Sequence, residues 1–63
     1  MSHAYVIEAA GRTAGIAVKV EHGYRFFSSN PEFHTLDGRD FTSLATAERT
    51  VVRHASGRGG RAT

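Results

Sequence analysis

The sequence contains no cysteine, no tryptophan, one proline and one lysine in 63 residues. Without cysteine no disulfide can form, and a zinc site would have to be built from histidine and carboxylate alone. The absence of cysteine suits a reducing compartment. No apolar run approaches the ~20 residues that span a bilayer, and no charged stretch leads into an apolar one in the manner of a signal peptide. A soluble cytoplasmic protein without membrane contact is therefore expected. The four histidines, His3, His22, His34 and His54, include no closely spaced pair of metal-motif type. No glycine-rich loop links a strand to a helix around a phosphate, and no nucleophile stands beside a base. These absences point away from an enzyme, and no cofactor, metal or small-molecule substrate is expected. A chain of this length buries only about 60% of the surface its unfolded form exposes. With no covalent staple, tight packing or self-association has to supply the missing stability.

The charge is unevenly spread. Up to Glu48, Arg12, Lys19, Arg25 and Arg39 face six acidic side chains; from Arg49 onward there are four arginines and no acid, within a net charge of +2. The basic character thus belongs to Arg49, Arg53, Arg58 and Arg61.

Leu44, Ala47, Val51 and Ala55 recur at spacings of three and four, which is one apolar stripe on a helix. Ser43 or Thr42 offers an N-cap oxygen and Gly57 a stop. Before this helix the chain reads as strand and loop. Residues 4–9 are rich in strand formers, Gly11-Arg12 resembles a two-residue type II′ turn, and residues 13–20 alternate. That turn places Ile7 opposite Ile16 and Tyr5 opposite Val18, with Val51 of the helix resting on Ile7, Ile16 and Val18. A three-residue loop at Glu21-His22-Gly23 then leads to a third strand at 24–28, with Val18 opposite Phe26; a two-residue His22-Gly23 loop would exchange Phe26 and Phe27 between faces. Asn30-Pro31-Glu32 is a helix-start signature. It predicts one or two helical turns over 31–36 with Phe33 and Leu36 inward, and Arg39-Asp40-Phe41 adds a short extended piece. The expected fold is α+β: a three-stranded antiparallel β-meander packed against one C-terminal α-helix. Residues 1–56 form one domain and 57–63 a disordered basic Gly/Arg tail.

Two functional readings follow. Phe26 and Phe27 are consecutive in a strand, so one must leave the helix-covered side. The outward ring is read as Phe27, within a face of Val6, Ala17, Lys19 and Arg25. An aromatic among apolar neighbours suggests a contact surface, so a protein-interaction module that forms a homodimer, or takes another protein partner, is the first reading. Folding back of residues 29–41 over that face is the competing way to cover it. The second is a nucleic-acid binder using Arg49, Arg53, Arg58 and Arg61, with Lys19 and Arg25 in support. A three-stranded sheet on one helix resembles, in outline, the arm-binding domains of phage-type integrases and the plant ethylene-response type of DNA-binding module. That resemblance implies a sheet face laid into the major groove, whereas the face expected here also carries Glu8.

Overall fold

The computed structural model describes the backbone of residues 4–60 and the side chains of residues 4–56. Strands β1 (Ala4–Ala9), β2 (Arg12–Val20) and β3 (Gly23–Ser28) are followed by a 3₁₀ segment (Pro31–Leu36), strand β4 (Asp40–Phe41) and helix α1 (Leu44–Gly60). The fold is α+β, with an antiparallel sheet in the order β1-β2-β3-β4 packed on the C-terminal helix. The sheet has four strands rather than three. The extended piece read at Asp40-Phe41 joins it, pairing Phe41 with Tyr24 and Asp40 with Arg25. Residues ahead of it continue the attachment: Phe26 N–H donates to the Arg39 carbonyl (2.9 Å) and Gly38 N–H to the Phe26 carbonyl (2.7 Å).

The helix starts where its capping chemistry places it. Thr46 N–H donates to Ser43 Oγ at 3.1 Å, and the Ser43 carbonyl accepts from Ala47 N–H, so Ser43 is the N-cap. The backbone stays helical through Gly60, so Gly57 is not the stop. Residues 61–63 lie outside the described residues. Asn30 caps the 3₁₀ segment by accepting from Glu32 N–H at 2.9 Å, and Phe33 and Leu36 are buried as expected.

Both hairpins differ from their sequence reading by one residue. The first turn is Ala10-Gly11, with φ of 56° and 77°, the pattern of a type I′ turn. Alanine carries no turn signature, so the sequence points one residue too late. A bulge in β2 then places Ile7 opposite Gly15, Val6 opposite Ile16 and Tyr5 opposite Ala17. The second loop is Glu21-His22, so that Val20 pairs with Gly23, Ala17 with Phe26 and Ile16 with Phe27. A one-residue slip exchanges faces. Strands β1 and β3 keep the sides read for them, Ile7 and Phe26 inward, Val6 and Phe27 outward. In β2 the sides are reversed: Ala17 is fully buried, while Ile16 and Val18 share the face of Val6 and Phe27.

The reversal has a volumetric cause. Phe26 has no exposed surface, and its Cζ lies 2.8 Å from where a Cβ on Gly15 would stand. Ala14, Gly15 and Ala17 on β2 leave the space that Ile7, Phe26, Phe33, Leu36 and Phe41 fill. Interiors select for close packing rather than for summed hydrophobicity, and the small side of β2 is the one that fits.

Ala47 and Val51 meet this core from the helix, with Leu44 and Ala55 at its margin. Val51 has no exposed surface and belongs to the cluster of Ile7, Ala17 and Phe26, not to Ile16 and Val18, which lie across the sheet. Val51→Ala is expected to cost about 1–3 kcal/mol as a buried truncation. In a domain this small each kcal/mol is worth roughly 4–8 °C of melting temperature. A thermal melt followed by far-UV circular dichroism reads the shift; an unchanged midpoint would mean that the helix does not rest on the sheet.

Candidate functional site

One side of the sheet carries the helix and the 3₁₀ segment. Phe33 and Leu36 pack into the same core as Val51, so the fold-back of residues 29–41 ends on the helix side and leaves the opposite face uncovered by any described segment. That face is read from the register. Val6, Ile16 and Phe27 stand directly opposite one another in a row across β1, β2 and β3. The next row is Ala4, Val18, Arg25 and Asp40. Val6 is 61% exposed, Phe27 41% and Ile16 36%. Directly opposed β-branched and aromatic side chains touch and stabilise the sheet, yet each of these still shows a large share of its surface to solvent.

The face expected from the sequence changes in composition accordingly. Val6, Arg25 and Phe27 belong to it. Ala17 does not, being fully buried in the core. Lys19 does not either: it pairs with Tyr24 on the helix side, where its Nζ lies 5.6 Å from the Tyr24 ring centroid. Ile16 and Val18 replace them, so the open face is more apolar than the sequence suggests. The signal that could have found them is the Gly15-Ala17 pair, too small to fill a core and suited to lying under a ring.

Polar groups frame one end of the face. Arg25 Nε and Nη2 donate to the two Asp40 carboxylate oxygens at 2.7 and 3.2 Å. The hydrogen bond from Arg25 holds the Asp40 carboxyl below its usual range, and the same bond holds the Arg25 guanidinium above its own. Both groups are thus fixed in their charged forms near neutrality, and such a pair neither takes nor gives a proton readily. An open cleft of about 340 Å³ lies beside it, bordered by Val20, His22, Phe41 and Thr42. Among the described residues no group of three or more His, Cys, Asp or Glu side chains converges. His54 instead makes a structural contact, its Nε2 3.0 Å from the Glu32 carbonyl and its ring stacked at a tilt near Phe33.

Arg49 and Arg53 are exposed on α1. At 100° per residue they lie on the side of the helix away from Val51, not beside its apolar stripe, and hence on the opposite side of the molecule from the open sheet face. Among the described residues neither enters an ion pair. The side chain of Arg58 and the whole of Arg61 lie outside the described residues. No described helix is long and apolar enough to cross a membrane. No family model, no curated protein and no solved structure matches the chain.

Proposed function

We propose that the protein is a non-enzymatic interaction module that self-associates through its open sheet face. The observation that supports this reading is the Val6–Ile16–Phe27 row, apolar, contiguous and exposed, on the one side of the sheet that no described segment covers. Contiguous exposed apolar surface of this kind marks contact sites. A second copy of the chain is the favoured occupant, because a short chain without staples gains most from added burial and two-fold pairing is the commonest assembly. Two such faces would pack about 10 Å apart, as the inner faces of a β-sandwich do.

Phe27→Ser tests it. Sedimentation equilibrium should show a smaller assembled mass for the variant than for the parent, with a folded circular dichroism spectrum in both. The substitution should take no more than about 1 kcal/mol from the fold itself, the size of one cross-strand pair. A parent that is already monomeric, or a variant of unchanged mass, would remove the face from consideration.

A second reading rests on Arg49 and Arg53, exposed and without an ion-pair partner among the described residues. Two guanidinium groups four residues apart on a free helix face suit phosphate contact, and with Arg58 and Arg61 they would bind nucleic acid without base selection. Such binding would weaken steeply as salt rises, which self-association through apolar surface would not.

A further inference from the structure

The two edges of the sheet are unlike. On the β4 side the residues of β3 that face away from β2 are engaged: Tyr24 pairs with Phe41, Phe26 bonds Gly38 and Arg39, and Ser28 N–H donates to Asp37 Oδ1 at 2.8 Å. On the other side no described segment pairs with β1. Ser29 N–H donates to the Ala14 carbonyl, which fixes the alternation across β2: Ile16 and Val18 bond β3, while Gly15 and Ala17 bond Ile7 and Tyr5 of β1. The N–H and C=O groups of Ala4, Val6 and Glu8 therefore point outward from the edge, and none has a partner among the described residues. Strand edges are normally blunted by proline, lysine or a bulge. Strand β1 has neither proline nor lysine, its one charge is Glu8 near its end, and the extra residue of the bulge belongs to β2.

The exposed apolar side chains gather around this edge. Tyr5 and Val6 lie on it, at 40% and 61% exposure, and Val52 is 46% exposed. Val52 and His54 are two residues apart and so on opposite flanks of the helix. His54 faces the 3₁₀ segment, which leaves Val52 on the flank toward the β1 edge.

We propose that two copies of the chain join edge to edge through β1, antiparallel about Val6, into one continuous eight-stranded sheet. The register follows from the free groups. Centred on Val6, the strand pairs Val6 with Val6 of the second copy and Ala4 with Glu8 in both directions, so all three outward residues find partners, each pair exchanging two hydrogen bonds. Centring on Glu8 would oppose two like charges, which destabilises a sheet, and other shifts leave Ala4 or Glu8 outside the paired strand. The two Val6 side chains then meet, and the row Phe27–Ile16–Val6 continues unbroken into Val6–Ile16–Phe27 of the second copy. On the other face the two Val52 flanks approach each other. The proposal shares with the preceding section only the premise that the chain associates with itself; edge pairing leaves the open face free, and two edge-joined pairs stacked by that face would have D2 symmetry.

Cysteine pairing tests the register directly, since the parent has no cysteine. A hydrogen-bonded pair stands at about 5.5 Å between Cα atoms, within disulfide reach. Ala4→Cys and Glu8→Cys chains mixed and mildly oxidised should give a mixed disulfide dimer, and either chain alone should give little, because its own cysteines lie several residues apart along the paired strands. Val6→Pro should abolish the edge pairing while leaving the monomer's ladder intact, the lost N–H being one that points outward; Val6→Thr, which keeps that N–H, should retain it. Phe27→Ser should leave the mixed disulfide unchanged even as it disrupts stacking. No mixed disulfide, or equal yields from the single-cysteine chains, would overturn the edge pairing. A mass change with Phe27→Ser in that case would leave the face contact standing alone.

Discussion

Phe26→Ala is expected to leave the chain without a cooperative thermal transition near room temperature. The side chain has no exposed surface and sits among Ile7, Ala17, Phe33 and Val51 in the core. Removing a buried phenylalanine costs about 3–5 kcal/mol, through lost transfer energy and the cavity left behind. A chain of 63 residues has about 3–9 kcal/mol in total, by the usual per-residue stability, and a short one without staples belongs toward the lower end. The loss therefore consumes most or all of the fold's margin. Relaxation offers little relief, because the residues beneath the ring, Gly15 and Ala17, are already the smallest available and cannot expand into the space. Phe27→Ala, one residue along the same strand, is the matched control. Its ring is 41% exposed on the other face, so at protein concentrations where both are monomeric it should melt cooperatively within several degrees of the parent. A melt of Phe26→Ala that resembled that of Phe27→Ala would mean that the ring is not the centre of the core.

The contrast between these neighbours was legible in the sequence, since consecutive strand residues must diverge. So were the Ser43 cap, the Asn30-Pro31 start and the inward pair Phe33 and Leu36, each of which follows from a local hydrogen bond or a helical spacing. The face of β2 was not. Alternation in Ile16, Val18 and Val20 is a genuine period-two signal, but period alone says only that these residues share a side. Which side is inward depends on the volume offered by the rest of the molecule, and Phe26 needs glycine and alanine beneath it. The turn at Ala10-Gly11 and the β2 bulge were hidden for a related reason. Ala10 adopts φ of 56° without the asparagine or glycine that would advertise it, and a bulge has no residue signature beyond a small side chain. The candidate face inherited the error: Val6, Arg25 and Phe27 were found through β1 and β3, whereas Ala17 and Lys19 stood in for Ile16 and Val18. The extended piece at Arg39-Asp40-Phe41 was read, but its place as a fourth strand was not, because so few residues carry no pattern that says what they pair with; Phe26 N–H donates to the Arg39 carbonyl and the Phe26 carbonyl accepts from Gly38 N–H to hold them there.

Gly15→Ala should destabilise the fold by about 3 kcal/mol or more, at the upper end of the overpacking range, although it adds a single methyl group. An ideal Cβ at Gly15 would overlap the Phe27 carbonyl oxygen and stand 2.8 Å from both Ser28 Cα and Phe26 Cζ. Two of these three atoms are backbone in the neighbouring strand and cannot swing aside as a side chain would. Against this stands the entropic benefit of replacing glycine, about 0.4–1 kcal/mol where the native conformation accepts a side chain. The clash is larger, so the sign is set by crowding. Gly11→Ala separates crowding from backbone strain. Gly11 has φ of 77° with nothing within 4 Å of a Cβ, so its cost is the left-handed penalty alone, about 1–2 kcal/mol. Urea denaturation of the two variants should therefore place Gly15→Ala clearly below Gly11→Ala. Adding Phe26→Leu to Gly15→Ala then locates the obstacle. If the ring were the main barrier, the double variant would recover much of the loss, a strong coupling between neighbours. Because the shortest contact is to a ladder carbonyl, little recovery is expected. A Gly15→Ala protein as stable as the parent would mean that β2 and β3 do not approach so closely, and with that the burial of Phe26 over Gly15 and the outward turn of Ile16 would both fail.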